Sequence, residues 1–270
     1  MGKMRDSSDE SSLPILVVSC DRFSDVWPVF FTLFFRYWPD CPFDIYLGSN
    51  YLRYEHPQVT TITVGEDTSW AHGARLMLES LSSEYVLLFL EDFLLTEPVD
   101  SDKVISLCEL LKTLGGNCLL LRADSPSVER ASVPGHPVIT EVMPGELWRV
   151  SLGTAIWKRS VLLSLLTDGE SAWDTEWLGS RRSDVLPGFY STVSVAIARH
   201  NGLEAGKWKR YNLPLLRREG IAIPPGHPIM TRREDAMTAL RGKIYSVPWA
   251  HRVARIAVRS KRRLVGLVRS

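Results

Sequence analysis

Apolar and polar positions along the first half of the chain switch between two periods. Short apolar or β-branched runs at Ile15–Cys20, Phe43–Leu47, Val59–Val64, Val86–Leu90 and Cys118–Leu121 have the length and texture of buried strands. Between them lie stretches with helical spacing. Asp25–Tyr37 is rich in aromatics and stops at Trp38-Pro39. Trp70–Leu81 repeats its apolar residues at Ala74, Met77, Leu78 and Leu81, and Ser101–Leu114 ends at Gly115-Gly116. Strand and helix therefore alternate, which predicts an α/β fold with a central, mostly parallel sheet wound on both faces. Beyond this region Pro and Gly punctuate the pattern. It predicts a hairpin of Val138–Val142 with Leu147–Ser151, helices at Trp157–Leu166 and Trp173–Gly179, a strand at Tyr190–Ala198, a loop-rich stretch from Pro214 to Pro228, and a helical tail.

Composition adds boundaries to this picture. Residues 1–12 are Ser-rich and charged, too polar to offset the entropy of ordering, and read as a disordered leader. Residues 13–230 form one domain in two halves, 13–125 and 126–230, and 231–270 form a basic helical extension. The net charge of +1 conceals an asymmetry: His251–Ser270 holds seven Lys or Arg and no acid, leaving 32 − 7 = 25 basic against 31 acidic residues elsewhere. Within 251–270, Val253, Ile256, Ala257, Leu264, Leu267 and Val268 fall near one helical face and arginines occupy much of the remainder. That amphipathic pattern predicts peripheral attachment to an anionic membrane surface and gives little support to nucleic-acid binding. A helix packed on the domain, or a disordered tail, is the alternative. No run approaches the ~18 apolar residues of a spanning helix. A cytoplasmic protein peripheral to the inner membrane face is expected, with Cys20, Cys41, Cys108 and Cys118 as reduced thiols.

Charge at the end of an apolar strand is the strongest chemical signal. Tyr85–Leu90 delivers Glu91 and Asp92 to what should be the C-terminal edge of the sheet, where open α/β folds bind ligands. Such an Asp either holds a divalent cation that neutralises a diphosphate or caps the following turn. Asp168, Glu170, Asp174 and Glu176 concentrate carboxylates around Trp173, offering a general base or a charged helix start. Lys207, Trp208 and Lys209 follow Gly202 and Gly206, which suits a mobile loop that binds phosphate.

Four segments together resemble the bacterial GT-A type glycosyltransferases of surface-polysaccharide and lipopolysaccharide assembly: Ile15–Asn50, Ser69–Asp92 with its carboxylate-ended strand, Ser151–Glu176, and His200–Lys209. The resemblance implies a GT-A-like Rossmann-type domain that transfers a sugar from a nucleotide-diphosphate donor to a glycan or lipid-linked acceptor, with inversion preferred. It makes 13–125 the nucleotide-binding half and 126–230 the acceptor half. Glu176, ahead of Asp174, is then the base. Asp21, Trp70, His72, Arg75, Glu91, Lys207, Trp208 and Lys209 bind the donor, and Asp92, with His200 as an extra ligand, holds Mn2+ or Mg2+. The chain departs from the family's Asp-any-Asp pattern, since Leu90 stands where the first Asp belongs. A metal-independent mechanism and a non-catalytic nucleotide- or glycan-binding protein therefore stay open. A nucleotidyltransferase is a further alternative, although no Gly-rich loop follows the first strand.

Overall fold

The computed structural model of the chain describes residues 13–122, 130 and 132–245. The proposed leader, 1–12, and the basic run 251–270 lie outside them. The described residues form one nine-stranded sheet, two small two-stranded sheets and flanking helices. Strands β1 (Ile15–Val18), β2 (Ile45–Ser49), β3 (Val59–Thr63) and β4 (Tyr85–Leu90) are parallel and lie in the order β3-β2-β1-β4.

Both faces of these strands are covered, because alternate residues of a strand point to opposite sides. On β1, Ile15 and Val17 enter one apolar cluster while Leu16 and Val18 enter another; on β4, Leu87 and Phe89 part from Val86 and Leu88 in the same way. Helix α1 (Trp27–Tyr37) brings Trp27, Phe30, Phe31 and Phe34 to the first cluster, each ring contributing about 1.5–3 kcal/mol by leaving water. Helix α2 (Trp70–Glu79) brings Ala71, Ala74, Met77 and Leu78 to the second. Its approach to β2 is close enough that a Cβ on Gly48 would lie 2.1 Å from Met77 Sδ, so any larger residue there would have to displace the Met77 side chain. After β5 (Phe93–Leu95), α3 (Ser101–Thr113) covers the first face again and leads to β6 (Cys118–Leu120).

The second half departs from expectation in four places. The apolar stretch around Trp157 begins with a strand, β9 (Ala155–Lys158), and only Arg159–Leu165 is helical (α4). This strand is inserted between β4 and β6, antiparallel to both, with Ile156 and Trp157 buried on opposite faces. The hairpin partner of β8 (His136–Glu141) is β7 (Ser132–Val133), not 147–151. The predicted strand 190–198 stops early: β10 (Phe189–Thr192) lies between β6 and β8, and the chain re-forms as β11 (Arg199–Asn201), paired with β5. Between 214 and 228, Leu213–Arg218 is helix α6, whose Leu215 and Leu216 pack with Val29 and Leu33 of α1. The full order is β3-β2-β1-β4-β9-β6-β10-β8-β7, in which β9 and β8 oppose the common direction. Helix α5 (Ala172–Arg182), the hairpin β12 (Leu203–Glu204) and β13 (Lys207–Trp208), and α7 (Arg232–Tyr245) complete the described fold. No described helix is long and apolar enough to cross a membrane.

The segment 142–151 lacks regular structure, and a buried cation is among the groups that tie it down. Arg149, 1% exposed, donates to the carbonyls of Val142 (3.0 Å), Leu186 (2.6 Å) and Ser183, with its guanidinium carbon 4.0 Å from the centre of the Phe189 ring. Replacing it by methionine removes the guanidinium donor from the Val142 and Leu186 carbonyls, while the Ser183 carbonyl keeps the Leu186 N–H at 2.9 Å. Arg149→Met is expected to lower unfolding free energy by about 2–3 kcal/mol in urea titration, with the slope unchanged.

Candidate active site

A cleft of about 510 Å3 opens at the C-terminal ends of β1 and β4. Ser19, Cys20, Arg22 and Phe23 line it after β1, Asp67 to Trp70 at the start of α2, Glu91 and Asp92 after β4, Trp173 and Glu176 from α5, Asn201 from the end of β11, and Leu203 to Gly206 from the β12–β13 hairpin. Residues more than a hundred positions apart thus meet where a parallel sheet leaves its strand ends open. The carboxylates of Asp67, Glu91, Asp92, Glu176 and Glu204 share this lining with Arg22, the one basic side chain on it among the described residues.

Two of these carboxylates sit next to one another at the end of β4. Glu91 is buried, and desolvation together with the neighbouring Asp92 pushes its pKa up to about 8. Asp92 is also raised by burial, opposed by the Leu203 amide, Arg199 and Lys209. Its Oδ2 accepts from that amide at 3.0 Å, and its carbonyl accepts from Gly202 N–H at 2.6 Å, so the β4 terminus anchors the hairpin. Across the sheet edge, Glu176 Oε1 accepts from the Leu152 amide at 2.7 Å and from the Ser151 hydroxyl at 3.2 Å. Burial raises the Glu176 carboxyl above its ordinary range, with those two donors and the charges of Arg122 and Arg199 opposing.

Arg199 was invisible to pattern reading. It leaves the sheet edge on β11, donates to Thr154 Oγ1 at 2.9 Å, lies 3.6 Å over the Phe93 ring and acts electrostatically on both Asp92 and Glu176. Burial lowers its own pKa to about 10, with Asp92 as the main opposing charge, so it remains a cation at neutral pH. A lone Arg in a polar stretch carries no sequence signal for this role. Arg22, the cation of the cleft wall, was likewise passed over beside Asp21.

Of the sequence-predicted residues, the fold brings Trp70, Glu91, Asp92 and Glu176 into the cleft. Asp174 is exposed and completes a capping box with Ser171, accepting its hydroxyl at 2.7 Å. Asp21 starts a single 3-10 turn, and its carboxylate accepts the backbone N–H groups of Asn50, Tyr51 and Leu52 at 3.0–3.1 Å. His72 and Arg75 are on α2 but not on the cleft wall: His72 Nδ1 accepts from Thr68 N–H at 3.4 Å, and Arg75 is spent on Asp168 (3.1 Å) and the Leu166 carbonyl (2.7 Å). Lys207 pairs with Glu234 at 2.5 Å and Lys209 with Glu204 at 2.6 Å, while Trp208 is fully buried against α1 and α6. His200 Nδ1 lies 3.0 Å from Asn212 Oδ1, away from the cleft lining.

The expected basic loop is therefore a structured two-residue hairpin. Ala205 and Gly206 have φ of 50° and 70°, the left-handed pair of a tight turn, and the Gly206 carbonyl accepts from His227 Nδ1 at 3.0 Å. Its turn, rather than its lysines, faces the cleft.

A divalent cation fits the donor set at Glu91 and Asp92. The side chains are hard carboxylate oxygens, and no group of three or more His, Cys, Asp or Glu among the described residues forms a complete cage. Two carboxylates suit a cation that takes its remaining ligands from phosphate and water.

No protein-family profile matches the sequence, nor does any curated protein. Solved structures do match. S. aureus TarS 1–349 in complex with UDP-GlcNAc superposes with a TM-score of 0.44 at 12% identity, over 70% of this chain and 57% of that one. The mannosyltransferase PcManGT from Pyrobaculum calidifontis in complex with GDP-Man and Mn2+ gives 0.46 at 15%, over 93% and 76%. A third neighbour is the Francisella tularensis 2-C-methyl-D-erythritol 4-phosphate cytidylyltransferase IspD, at 0.37 and 13%, over 57% and 76%. The likeness is one of fold. The chain spans under two thirds of the TarS fragment's length.

Proposed function

We propose that the chain transfers a sugar from a nucleoside-diphosphate donor to a glycan acceptor hydroxyl, with inversion at the anomeric carbon. The observation that carries this reading is the meeting of Glu176 with the Glu91-Asp92 pair in one acidic cleft at the strand ends. Glu176 is held through Oε1 by Leu152 and Ser151, leaving Oε2 to take the acceptor's proton. Its raised pKa makes it a stronger base than an exposed carboxylate. As the proton leaves, the acceptor oxygen attacks the anomeric carbon and the bond to the nucleoside diphosphate breaks on the opposite face. Asp92 and Glu91 would hold a divalent cation, which when bound supplies positive charge to the leaving diphosphate. Arg22 adds a guanidinium on the same wall, and Trp70 offers a ring for the base. The β12–β13 turn closes one side and helps exclude water.

The test is a thermal-shift screen of UDP, GDP, CDP and ADP, each with Mn2+, Mg2+ or EDTA, on the full chain. One nucleotide with metal at a hundredfold excess over its Kd should stabilise the protein by about 2.7 kcal/mol, and EDTA should remove most of that gain. Absence of stabilisation by any nucleotide overturns the reading; stabilisation that ignores EDTA replaces it with a metal-independent one. Peripheral membrane attachment through 251–270 remains part of the proposal, supported by the charge pattern of that segment.

A further inference from the structure

Three indole rings cluster beside the cleft on the side of Glu176. Trp173 lines the cleft and is 62% exposed. Its ring centre lies 6.5 Å from that of Trp148, which lies 6.4 Å from that of Trp177. Exposing an indole to water forgoes one of the largest apolar gains available to a side chain. Trp173 is also one turn before Glu176 on α5, which puts both residues on the face that borders the cleft.

The backbone at Trp148 is held in an unfavourable state to complete the cluster. Its φ is 59°, a left-handed conformation that is unfavourable for a residue with a Cβ. The neighbours that impose it are rigid. Arg149 is tied to its carbonyls, and Val150 N–H donates to Ser180 Oγ at 3.0 Å. The same segment continues to Ser151 and Leu152, the donors that hold Glu176. One stretch of chain thus sets the base and the ring beside it.

We infer that Trp173, backed by Trp148 and Trp177, is the acceptor subsite: a platform on which a pyranose ring of the acceptor glycan stacks its C–H face, presenting a hydroxyl to Glu176. The faces of indole rings are electron-rich and attract the weakly positive axial hydrogens of a sugar, while the hydroxyls at the sugar's rim stay free for hydrogen bonding. An alkyl chain has no comparable rim, and a nucleotide base belongs with Trp70 on the donor side. The inference rests on the glycosyl-transfer reading for the direction of the hydroxyl, but the platform itself is a binding site that can be tested alone.

The experiment titrates soluble gluco-, galacto-, manno- and rhamno-oligosaccharides into the full chain, following indole emission and saturation-transfer NMR, with nucleotide-plus-Mn2+ thermal shifts run in parallel. At least one oligosaccharide should move the emission. Trp173→Ala should weaken its binding about tenfold or more, and Trp173→Phe should restore most of it. Trp148→Gly, which suits a left-handed backbone, should weaken binding without loss of fold. Equal binding by Trp173→Ala, or no response to any sugar of the panel, overturns the platform. If sugars bind through Trp173 while no nucleotide binds, the platform stands and the transferase reading falls. If nucleotides bind and donors are consumed while sugar binding ignores Trp173, the platform falls and the transferase reading stands.

Discussion

Glu176→Gln should lower kcat for sugar transfer by about 10²- to 10⁴-fold while nucleotide binding, read by thermal shift, stays within a factor of a few. The amide is nearly isosteric. Its oxygen can still accept from Leu152 N–H and Ser151 Oγ, so the contacts that position the side chain survive and only the capacity to take a proton is lost. Asp174→Asn should cost far less, because that carboxylate serves the Ser171 cap. The pH profile supplies an independent readout. Only the ionised form of Glu176 accepts a proton, so activity rises with pH through its pKa, which burial places above the ordinary 4.5. Ser151→Ala removes a donor that stabilises the ionised form, and the acid limb should move to higher pH. A limb at the ordinary carboxylate position, unmoved by Ser151→Ala, would take Glu176 out of the role of base.

Asp92→Ala should reduce transfer by at least ~100-fold, comparable to removing a principal electrostatic group from a catalytic site. It should also destabilise, by about 1–3 kcal/mol, because the Leu203 amide that Asp92 Oδ2 receives would lose its acceptor. Asp92→Asn separates the two effects. An asparagine oxygen can still accept from Leu203, so melting should return close to wild type, yet the missing negative charge should leave transfer depressed and weaken the Mn2+-dependent gain in nucleotide stabilisation. Normal turnover in Asp92→Asn would show that the residue anchors the hairpin and does no more.

Membrane attachment of 251–270 and disorder of 1–12 are expectations from composition, and both segments lie outside the described residues. Within the described residues the division between sequence and structure follows from the range of the interactions concerned. Ile15–Val18, Val86–Leu90 and the amphipathic α1, α2 and α3 were legible because burial of a repeating local pattern decides them, and the local period alone says which residues must leave water. The Glu91-Asp92 signal was legible for the same reason: charge at the end of an otherwise apolar run is anomalous in its own neighbourhood. Trp157 and Lys158 were read as the start of a helix, since a run as short as Ala155–Trp157 has no period of its own. Only the slot between β4 and β6 makes them a strand.

The basic run Lys207-Trp208-Lys209 looked like a phosphate loop, and nothing in its sequence foretells that Glu234 and Glu204 claim its lysines or that Trp208 fills the space under α6. Arg75 and Asp174 are diverted in the same manner to Asp168 and Ser171. Arg199 and the Trp148–Trp173–Trp177 cluster went unnoticed because their meaning lies in what they meet. The hydrophobic period is a one-body property and survives in the linear chain. The pairing of charges, the stacking of rings and the partner of an edge strand are contacts between distant segments, and these come into being only when the chain closes on itself.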